Sequence, residues 1–252
     1  MSQARKLYNN QAEQWVRKEP VLLSDYSARP FVIDLCEPVK GLRILDAGCG
    51  EGYVGRQLLQ KGAAMVHGID ISEKMIEQAN LICMEEMLQG LSYEIGDIVT
   101  SNFSDGDRYD IILCMFLFNY LSIKDTYSVM KKMYNLLNPG GHFIFSVPHP
   151  LLAYMKKEKY PFYFQPSDGY FSGRDKLFLG EIWRRDGISV GVQCVHKTIE
   201  DYFHGIQMAG FSEFPTLREL HVTEEHVKID QRFFSPLIDL PLHLAFKVKK
   251  NI

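Results

Sequence analysis

The 252-residue sequence lacks several features that mark whole classes of protein. It has no CxxC pair, and its five cysteines are an odd number spread widely along the chain. This disfavours disulfide frameworks and zinc knuckles and predicts a reducing, cytoplasmic location. Basic residues are not in excess, because 28 Lys and Arg stand against 31 Asp and Glu for a net charge of −3. That balance predicts a protein that does not bind nucleic acid.

The sequence also lacks an uninterrupted apolar segment. Its first twenty residues are polar and contain no apolar core of a secretory signal. The longest stretch without Asp, Glu, Lys or Arg, 133–155, has 23 residues, which is long enough to raise the question of a membrane helix. NPGG at 138–141 and PHP at 148–150 would interrupt such a helix. A turn, a buried strand and a loop explain the stretch better, and we expect no membrane contact.

Short apolar runs alternate with helical patterns from about residue 41, which is typical of βαβ units and a parallel sheet. A run such as 111–115 is apolar throughout, as expected of a strand that is buried on both faces. The predicted strands are 43–46, 65–69, 93–96, 111–115, 142–147, 211–220 and 242–248, and the predicted helices are 53–61, one starting at 72, 126–137 and 199–209.

An insert, roughly 148–196, breaks this rhythm between the fifth and sixth predicted strands. It is rich in Tyr and Phe and contains a charged, hairpin-like stretch at 183–187. One interpretation is a small satellite core. The other is a cover over a ligand, because ligands of open α/β sheets bind beyond the carboxyl ends of the strands, where this insert begins.

The segment ILDAGCGEG at 44–52 joins a strand directly to a helix. Glycines there permit positive φ and let a ligand approach the backbone, and the helix N-terminus offers unpaired N–H groups. The GxGxG spacing differs from the GxGxxG of dinucleotide sites. Asp46 also stands two residues before the first glycine. A carboxylate in that place favours an ammonium or sulfonium group over a pyrophosphate.

Two further acids follow the next two predicted strands. Asp70 ends the second strand and can accept both hydroxyls of a ribose, while Asp97 follows the third and can accept an adenine amino hydrogen. Either residue alone could be an N-cap or a turn residue. With Asp46, three acids at the carboxyl ends of consecutive strands predict an adenosine that is joined to a cationic chain without phosphate.

Five ordered motifs resemble those of the class I S-adenosylmethionine-dependent methyltransferases: ILDAGCGEG (44–52), GIDIS (68–72), GDI (96–98), YDIILCMFLFNYL (109–121) and LLNPGGHFIFSV (136–147). The resemblance covers about 42–147 and, more loosely, the N-terminal helix and the last two strands. It implies a Rossmann-like α/β fold with a seven-stranded, mostly parallel sheet whose last strand is antiparallel. It also implies S-adenosylmethionine as the cofactor, S-adenosylhomocysteine as its product, and no metal.

The same resemblance implies where the cofactor would bind. The glycine loop would line its methionine part, the acid after the second strand its ribose, and the segment after the fourth strand its sulfonium. LYNNQAEQW at 7–15 is similar to a lid helix, although it could equally be a helix that packs its apolar face on the sheet. The expected cofactor-binding residues are Tyr8, Trp15, Asp46, Gly48, Cys49, Gly50, Asp70, Ile71, Met75, Asp97, Ile98, Met115 and Phe116.

Missing motifs narrow the methyl acceptor. No Asn/Asp-Pro-Pro-aromatic motif follows the fourth predicted strand and no Pro-Cys motif is present, so an aromatic-lined insert predicts a small organic acceptor. His149, just after the fifth strand, is the candidate base; the alternative is a loop histidine bonded to the backbone. The residues expected to contact the acceptor are Asn119, Tyr120, His149, Tyr163, Tyr170, His196 and Tyr202.

We therefore predict one methyltransferase domain over residues 1–252. It comprises N-terminal lid helices (1–40), a cofactor-binding core (41–147), a substrate-covering insert (148–196), and a C-terminal helix with the last two strands (197–252). The leading hypothesis is O- or N-methylation of a small molecule, in specialised metabolism, by a monomer or homodimer. The alternatives are a nucleoside- or tRNA-modifying methyltransferase, an NAD(P)-dependent oxidoreductase, and a non-catalytic protein that binds S-adenosylmethionine.

Overall fold

A computed structural model describes residues 3–104 and 106–251 of the chain. The strands are β1 (Arg43–Ala47), β2 (Met65–Asp70), β3 (Leu91–Ile95), β4 (Tyr109–Met115), β5 (Leu137–Pro148), β6 (Phe162–Gln165), β7 (Leu177–Trp183), β8 (Ser189–Val195), β9 (Thr216–Leu220) and β10 (His243–Lys249). The α-helices are α1 (Gln3–Trp15), α2 (Leu23–Ser27), α3 (Arg29–Cys36), α4 (Tyr53–Gln60), α5 (Glu73–Glu85), α6 (Ile123–Leu136), α7 (Ile199–Ala209), α8 (Glu224–Ile229) and α9 (Gln231–Phe234).

Seven strands form the main sheet, in the order β3-β2-β1-β4-β5-β10-β9. The pairs among β1 to β5 are parallel, and β10 runs antiparallel to both of its neighbours. The expected α/β sheet with an antiparallel last strand is therefore confirmed. His243, the first residue of β10, pairs with Pro148, the last residue of β5. The start of β10 thus lies at the sheet edge where the parallel strands end.

Helices cover both faces of this sheet, as the continuous apolar strands require. On one face, α6 and α7 pack against β4, β5 and β10, with Met133 and Ile206 among the buried contacts. On the other face, α3 and α4 bury Val32 and Leu58 against β1 and β2. Each face therefore has its own apolar core.

Several boundaries differ from the sequence prediction, among them those of α6 and β5, and that of β9, which begins at Thr216 rather than at residue 211. Helix α6 begins three residues before the predicted Thr126, because the Ser122 hydroxyl accepts a hydrogen bond from Asp125 N at 3.0 Å and caps it. Strand β5 begins at Leu137 rather than at His142. The Asn-Pro-Gly-Gly segment stays extended because Gly140 N donates to Lys250 O at 2.9 Å.

The insert forms a separate antiparallel sheet in the order β6-β7-β8. Phe162, Phe164 and Phe178 pack with Phe234 and Leu237 in a third apolar cluster. Much of the aromatic content of the insert is thus a satellite core, as one of the two interpretations expected. Helices α8 and α9, which complete this cluster, were not predicted from the sequence.

Helix α1 joins the main sheet to the insert. Asn9 accepts a hydrogen bond from the Ser72 hydroxyl at 2.7 Å and donates one to Glu73 at 2.9 Å, both at the start of α5. Gln11 accepts a hydrogen bond from Gly191 N of β8 at 2.7 Å. The helix therefore lies across the carboxyl edge of the sheet with a polar attachment on each side.

A buried network of five charged residues ties the N-terminal segments to the glycine loop. Asp25 accepts two hydrogen bonds from Arg17, each of 2.9 Å, and one of 2.8 Å from Arg29. Glu51 in turn accepts bonds from Arg17 at 3.0 Å and Arg56 at 2.6 Å. Burial alone would raise the pKa of Asp25, but the charges of Arg29 and Arg17 hold that pKa below its usual value.

Removing Asp25 should destabilise the fold strongly. Asp25→Ala leaves two buried guanidinium groups without their shared partner, so we expect the free energy of unfolding to fall by about 3–5 kcal/mol in urea titrations. Asp34→Ala is the matched control, because the Asp34 side chain is 72% exposed and its ion pair with Lys61 spans 3.8 Å. The control should cost less than about 0.5 kcal/mol. Equal losses in the two variants would contradict the assignment.

Candidate functional site

A cavity of about 620 Å³ lies at the carboxyl edge of the main sheet. Its walls come from α1, from the ends of β1, β2 and β4, from the segment after β3, and from the inner face of the β6–β8 sheet. The crossing of the parallel strands and helices leaves such a crevice in open α/β sheets. Here the insert covers this crevice and forms part of the cavity wall.

The glycine loop forms one wall of the cavity. Gly48 has φ of +78° and Gly50 has φ of +56°, a region that side chains with a Cβ rarely adopt. Gly48 N donates to Ile69 O at 2.8 Å, and Gly50 N donates to Asp70 Oδ2 at 2.9 Å. The other Asp70 oxygen accepts Ser72 N at 2.9 Å. Both oxygens of this carboxylate are thereby held at the end of β2.

Three buried polar atoms that line the cavity lack a hydrogen-bond partner within the described ranges. They are Asp46 Oδ2, Asn119 Oδ1 and Trp15 Nε1. Asp46 is 1% exposed, and burial together with the charge of Asp70 raises its pKa to about 7. A bound cationic group would satisfy the two oxygen acceptors and stabilise the charged form of Asp46. The cavity thus fits the ammonium or sulfonium group that the sequence predicted.

A positive charge lies in the same wall. The Arg29 guanidinium, bonded to Asp25, is 5.5 Å from the centre of the Phe116 ring and lines the cavity. Its charge opposes the rise in the pKa of Asp46, so the two groups are within electrostatic reach of each other. One end of the cavity therefore offers both a carboxylate and a guanidinium, a pair suited to the zwitterionic end of an amino acid.

The structure brings together all of the residues predicted to bind the cofactor and two of those predicted to contact the acceptor. All of them line the cavity: Tyr8, Trp15, Asp46, Gly48, Cys49, Gly50, Asp70, Ile71, Met75, Asp97, Ile98, Met115 and Phe116, together with Asn119 and Tyr120. The Tyr8 and Tyr120 hydroxyls contact each other, which joins α1 to the turn after β4. The roles of these residues stay predictions.

His149 is not part of the cavity wall, which corrects its placement as the candidate base. Its Nδ1 accepts a hydrogen bond from Leu151 N at 3.2 Å, and its Nε2 lies 3.3 Å from the Glu219 carboxylate of β9. The chain turns at Pro148, so the side chain after it points along the sheet edge toward β9. The loop-histidine alternative describes its contacts.

The other four predicted acceptor contacts also lie outside the cavity wall. Tyr163 alternates with the buried Phe162 and Phe164 along β6, and is therefore on the outer face, 44% exposed. Tyr170 packs on His196, whose Nε2 lies 2.8 Å from Tyr170 O in a peripheral contact. Tyr202 is buried in the core between α7 and the sheet. Each was chosen by position in the chain, which does not define where a side chain points.

Sequence reasoning missed several residues that line the cavity. The alternating pattern of Phe162-Tyr163-Phe164 could have indicated which face of the insert is inward. No local pattern marks the others, because they reach the site through contacts between distant segments. The missed residues include Arg17, Ser24, Arg29, Pro148, Leu152, Phe164, Leu177, Ile182, Val192, Gln193, Cys194 and His243.

Two kinds of feature are absent from residues 3–104 and 106–251. No group of three or more His, Cys, Asp or Glu side chains there is arranged to hold a metal ion. No helix in this part of the chain is both long enough and apolar enough to cross a membrane.

Comparison with known proteins agrees with the fold. Residues 44–141 match the family described as a methyltransferase domain. A solved S-adenosylmethionine-dependent methyltransferase from Mesorhizobium loti superimposes with a TM-score of 0.65 at 24% identity, over 88% of this chain and 96% of that one. Residues 44–141 thus match a methyltransferase domain, and the solved structure shows the same fold around them. Seven strands, mostly parallel and with the last one antiparallel, are what the family resemblance implied.

Curated relatives share part of the methyltransferase domain. A ubiquinone biosynthesis O-methyltransferase from Neisseria meningitidis is 26% identical over 138 residues, which cover 54% of this chain and 57% of that protein. One from Coxiella burnetii is 35% identical over 108 residues, which cover 43% and 44% of the two chains. This chain therefore spans about half the length of the curated relatives it matches.

The raised pKa of Asp46 predicts that the free energy of unfolding of the ligand-free protein depends on pH. The unfolded chain releases this proton near pH 3.9 and the folded one near pH 7, so folding loses stability as pH rises between the two values. Asp46→Asn removes that titration and should raise the free energy of unfolding at pH 8 by about 2–4 kcal/mol.

The measurement is urea unfolding without ligand at pH 4 and pH 8. We expect little difference between wild type and Asp46→Asn at pH 4. Asp239→Asn, at an exposed position, is the control and should behave like wild type at both values. A variant that is no more stable than wild type at pH 8 would contradict the buried, uncompensated carboxylate.

Proposed function

We propose that this chain transfers a methyl group from S-adenosylmethionine to an oxygen atom of a small, apolar organic acceptor. The observation that carries the proposal is one continuous cavity with two chemically different halves. The half at the ends of β1 and β2 and just after β3 is lined by acids and glycines, and the half under the β6–β8 sheet is mainly apolar.

The acidic half fits the parts of S-adenosylmethionine in order. Asp70 retains acceptor capacity for the ribose hydroxyls, since an ionised carboxylate has about four lone-pair sites and the backbone N–H groups of Gly50, Ser72 and Ile71 use three of them at most. Asp97 accepts Val99 N with one oxygen, which leaves the other for the adenine amino group. Asp46 and Asn119 suit the ammonium, and Arg29 suits the carboxylate. When bound, this cofactor supplies a methyl group on a sulfur that leaves readily.

The apolar half supports a small, uncharged acceptor. Such a wall excludes water and favours an apolar molecule over a nucleic acid strand. The names of the curated relatives, both ubiquinone biosynthesis O-methyltransferases, favour oxygen over nitrogen as the methylated atom. The residues that form this wall are Pro148, Leu152, Phe164, Leu177, Ile182 and Val192.

The contribution of the protein in this proposal is position and exclusion of water. A reactive methyl donor needs little covalent help, so most of the rate enhancement comes from holding the acceptor in line with the donor. Helix α1 closes one side through Asn9 and Gln11, and the Tyr8 and Tyr120 hydroxyls meet across the cavity. These contacts favour a lid role for α1 over simple packing on the sheet.

Calorimetric titration with S-adenosylmethionine, S-adenosylhomocysteine and NADPH tests the cofactor. We expect micromolar binding of the first two and none of the third. Labelled-methyl transfer to panels of phenols, carboxylic acids and amines then tests the acceptor. Binding of NADPH alone would overturn the proposal. Transfer to amines only would favour methylation of nitrogen, and cofactor binding without transfer to any member of the panels would favour the non-catalytic alternative.

Removing the proposed ribose contact should weaken binding of the cofactor. Asp70→Ala is expected to raise the dissociation constant of S-adenosylhomocysteine by about 5- to 150-fold, the equivalent of 1–3 kcal/mol for a lost charge-assisted hydrogen bond. The exposed Asp34→Ala serves again as control and should bind normally. Calorimetry that gives equal affinities for both variants would remove the ribose assignment.

A charge placed in the apolar half of the cavity should weaken binding of the acceptor and leave binding of the cofactor unchanged. Val192→Glu puts a carboxylate into the wall of that half, so we expect at least a tenfold rise in KM for the acceptor and an affinity for S-adenosylhomocysteine within about twofold of wild type. Leu179→Glu, at a position on the adjacent β7 that is 59% exposed, is the matched control. Similar KM values for both variants would argue that the acceptor binds elsewhere.

A further inference from the structure

His243 is a buried imidazole in the cavity wall that no motif marked. It is 6% exposed and lies at the start of β10, opposite Pro148 at the end of β5. The centre of its ring is 5.2 Å from that of Phe116, in an edge-on arrangement. Phe116 is also the ring beside which Arg29 lies. The imidazole therefore borders the meeting point of the acidic and apolar halves of the cavity.

The contacts of Ser27 favour one tautomer of His243. The Ser27 hydroxyl lies 3.0 Å from Leu23 O, which can only accept its single hydrogen. The same oxygen lies 3.3 Å from His243 Nδ1; with the hydrogen in the shorter contact, the oxygen accepts here and Nδ1 donates. With the hydrogen on Nδ1, a neutral imidazole leaves a lone pair on Nε2. Nε2 has no partner in the described parts of the chain.

The surroundings keep this imidazole neutral. Burial, and then the charges of Arg29 and of a protonated His149, lower the pKa of His243 to about 3. The Nε2 lone pair is thus available at any pH at which the fold is stable. The side chain is poorly suited to remove a proton from a resting hydroxyl, but it is well suited to accept a hydrogen bond from one.

We propose that His243 Nε2 accepts the hydrogen of the acceptor hydroxyl and orients the oxygen lone pair toward the methyl group. This rests on the proposed function. As the oxygen forms its bond to the methyl carbon, the carbon–sulfur bond breaks and its electron pair stays on sulfur. The hydroxyl becomes strongly acidic at that point, and its proton passes to Nε2. The imidazolium then releases the proton to water, which returns the side chain to its neutral form.

The same geometry favours a neutral hydroxyl over a protonated amine. The apolar wall, from Pro148 to the β6–β8 residues and His243, contributes no carboxylate to the cavity. The charge of the Arg29 guanidinium acts on His243 and repels an ammonium. The acceptor class in this proposal is therefore an uncharged hydroxyl compound, and phenols are suitable probes because their acidity can be varied.

The first test reads the tautomer directly. Nitrogen-15 NMR of histidine-labelled protein, with His243→Phe to assign the signals, should give the pattern of an Nδ1–H imidazole. Ser27→Ala removes the acceptor of that hydrogen and should produce a mixture of the two tautomers. An Nε2–H tautomer in the wild type would overturn the proposal, because no lone pair would then face the acceptor.

The second test uses phenol, 4-chlorophenol and 4-nitrophenol as probes, titrated onto the protein loaded with S-adenosylhomocysteine. Binding should shift the Nε2 signal, and His243→Phe should raise each dissociation constant about two- to tenfold, the scale of one hydrogen bond. Benzylamine should bind more weakly than phenol. His142→Gln is the matched control, because His142 pairs with Lys249 at the far end of the β5–β10 ladder, and it should bind the phenols as wild type does.

The third test measures turnover. If His243 had only a structural role, the loss of kcat in its variant would not depend on the acidity of the phenol. His243→Phe should lower kcat by about 10²- to 10⁴-fold for phenol, and by progressively less for the more acidic phenols. Equal losses across the three, equal phenol affinity in wild type and variant, or no binding of any phenol would each overturn the role of His243. Failure to bind S-adenosylhomocysteine, measured separately, would instead overturn the proposed function itself.

Discussion

The carboxylate of Asp25 is the contact on which the arrangement of the site depends. It lies between two guanidinium groups, and through Arg17 it connects to Glu51 in the loop that follows the glycines. In a buried environment none of these charges is stable alone, so the segments that carry them must dock together. The docking brings Arg29 into the cavity wall and closes the N-terminal segments over the sheet. Folding of these segments and completion of the site are therefore one event.

The cavity wall contains buried polar atoms without a hydrogen-bond partner in the described residues, and a ligand could pair with them. Within the described residues, a buried side-chain atom lacks a hydrogen-bond partner in each of Asp46, Asn119 and Trp15. Burial and the charge of Asp70 also raise the pKa of Asp46 to about 7. Such groups lower the stability of the empty protein, because buried polar atoms are normally paired. A cationic group that pairs with the two oxygen acceptors, Asp46 and Asn119, recovers on binding part of the stability that the empty fold loses. This couples the ligand to the stability of the fold.

A buried ammonium gives the other half of the cavity its shape. Lys197, just after β8, donates to Phe118 O at 2.9 Å and to Val195 O at 3.3 Å, and it also contacts Leu121 O. Burial lowers its pKa to about 8, although nearby acids and carbonyls favour the charged form. These bonds tie the turn that contains Asn119 and Tyr120 to the end of the insert sheet. Lys197 thus fixes the turn that lines the cavity against the end of the insert sheet.

The sequence by itself determined the parts of this protein that depend on local pattern. Continuous apolar runs predicted the strands, the glycine loop predicted the strand-to-helix turn, and Asp46, Asp70 and Asp97 marked the edge where the strands end. These are reliable because a parallel sheet brings the carboxyl ends of its strands to one edge whatever the loops contain. The cofactor half of the candidate site therefore followed from the chain alone.

Only the tertiary structure decided which residues line the apolar half of the cavity. His149 follows β5 directly but points toward Glu219, whereas His243, about a hundred residues later, reaches the cavity because β10 pairs antiparallel with β5. Arg29 reaches it only through Asp25, and Tyr202 faces the core because of its place on the helix surface. Side-chain direction at a strand end or on a helix depends on register and on packing partners far away in the sequence. No local pattern encodes those partners.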